Sequence, residues 1–204
     1  MARILGISGS PRKAATYYCV EEALAEVRRH GIEVEFFALA GKQFSLCIHC
    51  DRCLKANSLE CVRSQDDLSG WATKFLEFDG YIIGSPVYDM NISAQLQGFF
   101  NRMRANWLIL EKNPDFYARK FGGAIAVGGT RHGGQELVLN ALNNYYLSLG
   151  IKVVSAGAQA YNGAAVWSKD RRAEGVKEDH IGVESVRAIG RAVALAVKNE
   201  VREH

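Results

Sequence analysis

"ILGISGSPRKAATYYCVEEALAEV", residues 4–27, changes character twice. It opens on a short apolar run, "ILGI", with the length and composition of a buried strand. A turn rich in Ser, Gly and Pro follows. Val20, Ala23, Leu24 and Val27 then fall at i, i+3, i+4 and i+7, the spacing of one buried helix face. The stretch predicts a strand–turn–helix unit.

The unit recurs along the chain. "GIEVEFFAL", "GYIIGSP" (closed by Pro86), "FGGAIAVGG" and "IKVVSAG" read as further strands. Between and after them come helical faces: Leu96, Phe99, Phe100 and Met103; Leu137, Ala141, Tyr145 and Leu149; and Val186, Ile189, Val193 and Val197. "SQDDLSGWATKFLEF" carries a helix start at residues 64–67. Parallel strands need crossover connections, and these place helices on both sheet faces. Five strands alternating with five helices therefore predict an α/β fold with a doubly wound, five-stranded parallel sheet, as one domain over residues 1–204. No repeat, low-complexity tract or linker interrupts it.

Composition agrees with a single core: 204 residues, 48% hydrophobic and 23% charged. The net charge of +3 is small and scattered, which argues against nucleic acid as a partner. "MARILGISGSPRK" lacks the apolar run of a secretory leader, and no segment approaches the ~20 apolar residues of a membrane span. The expectation is a cytoplasmic protein that contacts no membrane.

In sheets of this kind ligands bind beyond the carboxyl ends of the strands, and three turns there have unusual sequences. In "SGSPRKAAT", Ser8, Ser10 and Thr16 offer hydroxyls, Gly9 permits close approach, and Arg12 and Lys13 add charge at the positive end of a helix. A phosphate suits it, although a turn rich in N-cap residues would read the same way. The turn matches neither the dinucleotide fingerprint nor the P-loop. "GSPVYDMNISAQ" is stiffened by Pro86 and places Tyr88 where an aromatic could face a planar ring; Asn91 and Ser93 are candidates to cap the next helix. The alternative is a stiff loop with a core tyrosine. "VGGTRHGGQE" flanks Thr130, Arg131 and His132 with glycine pairs that let backbone amides approach a ligand; His132 reads as a solvent-facing loop residue rather than a catalytic one. The connections 40–63 and 156–178 are long for a compact domain, which points to function.

The first of these connections holds "SLCIHCDRCLKANSLECV", residues 45–62, with four of the five cysteines: Cys47, Cys50, Cys53 and Cys61. In a reducing compartment such a cluster means metal or redox chemistry rather than a disulfide framework. Three cysteines at three-residue intervals can wrap three corners of an iron–sulfide cube, and a fourth farther along closes it. Ferredoxin runs end C-x3-C-P, whereas here the last gap is seven residues and no proline follows. Structural zinc, usually held by two separated knuckles, and redox-active thiols are the alternatives. Cys19, inside the first helix pattern, reads as a buried apolar residue. Lys42, His49, Arg52, Lys55 and Arg63 surround the cluster; they would raise its potential and attract an acidic donor, or form an ordinary solvated loop.

A phosphate turn, an aromatic turn and a glycine turn at one sheet edge together describe a flavin mononucleotide site. "SGSPRK", "SPVYDMNISAQLQGFFNR" and "VGGTRHGGQE" resemble the flavodoxin-like NAD(P)H-dependent FMN reductase superfamily over nearly the whole chain. With C-x2-C-x2-C-x7-C the chain resembles its iron–sulfur flavoproteins. The first loop departs from that pattern, with Ala15, Thr16 and Tyr17 where the family often has Gly/Ser-Asn-Thr.

The resemblance implies strand order 2-1-3-4-5 with a cysteine-rich insertion after strand 2. It implies FMN held by Ser8, Ser10, Arg12, Lys13 and Thr16 at the phosphate, and by Pro86, Val87, Tyr88, Asp89, Gly128, Gly129, Thr130 and Arg131 around the ring. It further implies a [4Fe–4S] cluster on Cys47, Cys50, Cys53 and Cys61, a ferredoxin-like electron donor, a small-molecule or protein acceptor, and a homodimer or homotetramer that sets the cysteine segment of one chain beside the flavin of another. Residues 104–117, "RANWLILEKNPDFY", are dense enough in apolar and aromatic side chains for a subunit contact, or for a helix buried in its own core. No acid–base or nucleophilic side chain is required. The competing readings are an NAD(P)H-dependent flavin or quinone reductase whose cysteines bind zinc or are free, and a non-catalytic flavin-binding sensor.

Overall fold

In the computed structural model, which describes residues 2–202, β1 (Arg3–Ser8) lies parallel between β2 (Glu33–Ala38) and β3 (Gly80–Pro86), and β3 pairs with β4 (Phe121–Gly128). With β5 (Lys152–Val153) at the edge, the order is 2-1-3-4-5 and every pairing is parallel. β3 and β4 are buried nearly throughout, as strands covered on both faces must be.

α1 (Ala15–Arg29) and α8 (His180–Arg202) cover one face, where Val20, Leu24, Ile189 and Val193 meet Ile4, Ile82 and Ile125 of the sheet. On the other face α4 (Ala94–Arg102) and α6 (Gln135–Leu149) pack with an aromatic core of Phe75, Phe78, Tyr81, Phe99 and Tyr117. Ser93 caps α4, its Oγ accepting from Leu96 N at 3.1 Å, as expected of a serine before an apolar helix face.

Three expectations need correction. "IKVVSAG" is not one strand: after β5 the backbone leaves the sheet, and β6 (Ala164–Trp167) returns to pair with the far half of β4, at Ile125–Gly128. Two short strands in series fill one edge position, and the second lies inside the connection read as a loop. No helix begins at residues 64–67. The carboxylates there take backbone and arginine partners instead, Gln43 N to Asp67 at 2.7 Å and Ser45 N to Asp66 at 3.0 Å; after the one-turn helix α2 (Arg52–Lys55), the helix α3 spans only Trp71–Lys74. The buried face of α6 sits one residue along from the expected one. Val138, Leu142 and Tyr146 are buried, while Leu137 is 49% exposed. The anchor is Tyr146, whose hydroxyl accepts from Ile83 N at 3.1 Å and donates to Gly123 O at 2.9 Å. Its neighbour Tyr145 still stacks on Phe100, 3.6 Å between centroids.

Removing that hydroxyl strands a buried donor and a buried acceptor, so Tyr146→Phe should lower unfolding free energy by about 1–3 kcal/mol. Urea unfolding checks this; an unchanged midpoint would contradict the anchoring role.

Candidate functional site

Beyond the carboxyl ends of β1, β3 and β4 lies a cavity of about 310 Å³. From the first turn Ser10, Arg12, Ala14, Ala15 and Thr16 line it. Ser10 Oγ accepts from Arg12 N at 3.1 Å, curling the backbone into a concave turn. The N-cap of α1 is Ala14, which has no side chain to offer the first-turn amides, so these donors and the helix dipole are left for an anion. Ser8 and Lys13 do not line the cavity. Ser8 Oγ is wholly buried with no hydrogen-bond partner among the described residues, and Lys13 is exposed.

Pro86, Val87 and Tyr88 line the cavity from the second turn, and the Tyr88 hydroxyl accepts from Arg12 Nη2 at 3.3 Å, joining the two turns. Asp89 is exposed outside it. Asp89 and Met90 hold φ of 48° and 62° in a tight turn closed by mutual Tyr88–Asn91 backbone bonds of 3.0 and 2.9 Å. From the third turn Gly129 lines the cavity, along with Val127 before it. Gly128 packs against Gln135 so closely that a Cβ would collide with its amide. Thr130 O accepts from that amide at 2.5 Å, and Arg131 stacks on Trp167 at 4.6 Å. Thr130, Arg131 and His132 are exposed.

Ser168, Asp170 and Arg172 complete the wall from the connection after β6, and sequence reasoning named none of them. The length of that connection was its only signal. A Cβ on Gly129 would strike the Asp170 carboxylate, which explains the glycine. Lys169, Asp170 and Arg172 all hold positive φ, a conformation that costs non-glycine residues energy and concentrates at functional sites.

A second cavity, about 270 Å³, is lined by all four clustered cysteines together with Arg52, Arg63 and Arg104. Cys47, Cys53 and Cys61 are half-buried and Cys50 is exposed. The Cys50 thiol is pulled below its ordinary range by the Arg52 backbone amide, helped by the Arg63 and Arg52 charges; burial pushes Cys53 up, with Cys47 and Cys61 adding to it. Among the described residues no three Cys, His, Asp or Glu side chains converge closely enough to hold a single metal ion. Cys19 is buried far from this loop's chemistry, and desolvation raises its thiol.

The cysteine segment hangs on α4 and the turn after it. Arg102, at 4% side-chain exposure, reaches Asp66 Oδ2 at 2.7 Å and Ser45 O at 2.8 Å. Burial pushes the Asp66 carboxyl up, but hydrogen bonds from Arg102, Ser45 and Leu68 outweigh it and hold the group below its usual range. Arg104 pairs with Asp51 at 3.1 Å. Gln95 Nε2 donates to Leu39 O at 2.9 Å. Of the expected basic residues only Arg52 and Arg63 line this cavity; Lys42, His49 and Lys55 do not. Within residues 104–117 Tyr117 is buried, while Trp107, at the start of α5 (Trp107–Lys112), is 53% exposed.

The described helices include none long and apolar enough to cross a membrane. A model of the NADPH-dependent FMN reductase family matches residues 2–165. An iron–sulfur flavoprotein of Methanocaldococcus jannaschii is 39% identical over 186 residues, 91% of each chain. One of Archaeoglobus fulgidus is 42% identical over 185 residues, 90% of this chain and 91% of its own. In fold, a flavodoxin-type WrbA-like protein of Agrobacterium tumefaciens superposes with TM-score 0.67 at 16% identity, covering 98% of this chain and 99% of its own. Sheet order, the family match over residues 2–165 and matches over nine-tenths of the chain to iron–sulfur flavoproteins agree: the chain belongs to the NADPH-dependent FMN reductase family, among its iron–sulfur flavoproteins, and its chemistry is flavin-linked redox transfer.

Proposed function

We propose that the chain carries electrons between an external donor, a [4Fe–4S] cluster on Cys47, Cys50, Cys53 and Cys61, and FMN in the cavity at the strand ends. The observation that carries this is the presence of two separate cavities, one lined by all four cysteines and one built on an uncapped helix start, with no residue common to both. Four thiols with three arginines, Arg104 already paired to Asp51, suit a thiolate-ligated cluster, whose negative charge the guanidiniums offset. When bound, FMN exchanges electrons one or two at a time and the cluster passes one, so together they link the two kinds of donor and acceptor.

The protein's part is binding and positioning. Ser10 shapes the first turn, the α1 amides and Arg12 hold the phosphate, and Thr16 offers a hydroxyl. Tyr88 and Gly129 flank the ring. Ser8, Lys13, Asp89, Gly128, Thr130 and Arg131 stand outside the cavity wall but in or beside the same turns. In this reading cluster and flavin meet across a subunit boundary in a homo-oligomer, as the resemblance to iron–sulfur flavoproteins implies; two cavities with no shared residue are compatible with that arrangement. Leu46, Ile48 and Val62, each more than half exposed around the cysteines, supply the apolar surface such a boundary needs. The donor is an acidic protein of ferredoxin type, drawn to Arg52 and Arg63.

Arg12→Ala tests the flavin assignment. It should leave folding intact and weaken FMN retention about 10-fold, the loss of one charge-assisted contact to phosphate. Unchanged FMN content on gel filtration would count against it.

A further inference from the structure

The segment 168–172 is a built part of the flavin cavity. Ser168 N and Oγ both donate to Gly128 O, at 2.8 and 3.1 Å, and Trp167 Nε1 donates to Gly129 O at 2.8 Å, so the segment is fastened to the third turn. Behind it Gly175 fits so tightly that a Cβ would collide with Ser168 O. The backbone there is over-determined, and Lys169, Asp170 and Arg172 are held at φ of 53°, 54° and 56°.

Charge pairing along the segment divides by direction. Lys169 and Arg171, which do not line the cavity, both pair with Glu178, the first at 3.1 Å. The side chains of Asp170 and Arg172, which do line it, have no hydrogen bond or ion pair among the described residues, and none forms between them despite their opposite charges. Asp170 rests on Gly129, on the side of the glycine turn. Arg172 begins α7 (Arg172–Lys177), which packs against α1, and it lines the same cavity as Ala14, Ala15 and Thr16 at the uncapped α1 start. An unpaired guanidinium that shares a cavity with free helix amides is set for a phosphate.

Building on the FMN assignment above, we propose that Arg172 is a second phosphate-binding arginine, alongside Arg12, and that its charge makes the site selective for phosphorylated flavin over riboflavin.

The test is titration of the flavin-stripped full-length protein with FMN and with riboflavin, followed by quenching of flavin fluorescence. Arg172→Met should weaken FMN about 10-fold or more and leave riboflavin within about 2-fold, because only FMN carries the dianion. Arg171→Met, which removes the same charge outside the cavity, should change neither. Arg172→Lys, which keeps the charge, should recover part of the preference for FMN. Equal weakening of both flavins by Arg172→Met would show a merely structural role and overturn the proposal, as would an unchanged FMN affinity. A wild type that binds neither flavin would instead remove the FMN assignment itself, and the proposal with it.

Discussion

Replacing Arg102 by alanine is expected to lower unfolding free energy by about 3 kcal/mol and to free the cysteine segment from α4. The side chains of Arg102 and Asp66 are 4% and 13% exposed, so the variant leaves a largely buried carboxylate without its cation. It also removes the donor to Ser45 O, two residues before Cys47. The pH dependence follows from the depressed Asp66 carboxyl. Its stabilisation is fully present above the ordinary aspartate range, near pH 4, and is lost as pH falls through the lower folded value. The gap between wild type and variant should therefore be widest at neutral pH and narrow below about pH 4. Urea unfolding across pH, with hydrogen exchange over residues 40–70, measures both. A loss under about 1 kcal/mol at neutral pH, or unchanged exchange in the segment, would show that the ion pair does not anchor it.

Cys50→Ala is expected to abolish most of the iron and labile sulfide while FMN content stays near that of wild type. Alanine removes one of four ligands and offers no replacement donor. Flavin is spared because the two cavities share no residue. Anaerobic iron, sulfide and flavin assays of the variant decide it. Full retention of the cluster would remove Cys50 from the ligand set, and parallel loss of FMN would contradict the separation of the two sites.

The sheet was readable because β1, β3 and β4 are near-continuous apolar runs, buried on both faces, and helices α1, α4 and α8 bury single faces of strong periodicity, as with Val20, Ala23, Leu24 and Val27. β6 was not, because "AAVW" is four residues long and too short for a period to emerge. Ser64 and the acidic residues after it mimic a helix start, and only the fold supplies Arg102, which claims Asp66 instead. On α6, Leu137 and Val138 are equally apolar; the buried hydroxyl contacts of Tyr146 decide which turns inward.

The candidate site divides along the same line. Ser10, Arg12, Thr16, Pro86, Tyr88 and Gly129 sit in local turns whose composition betrays them. Asp170 and Arg172 reach the cavity only through a long-range connection and a left-handed backbone that Asp and Arg do not advertise. Arg104 likewise joins the cysteine cavity from across the fold, paired to Asp51.

The central claim, a thiolate-held iron–sulfur cluster beside a single-phosphate flavin, is tested most directly by metal, sulfide and flavin analysis of the protein isolated without exposure to air. The account predicts iron and labile sulfide in equal amounts, together with one FMN per chain, and a brown chromophore bleached by dithionite. One equivalent of zinc per chain with no labile sulfide would contradict it.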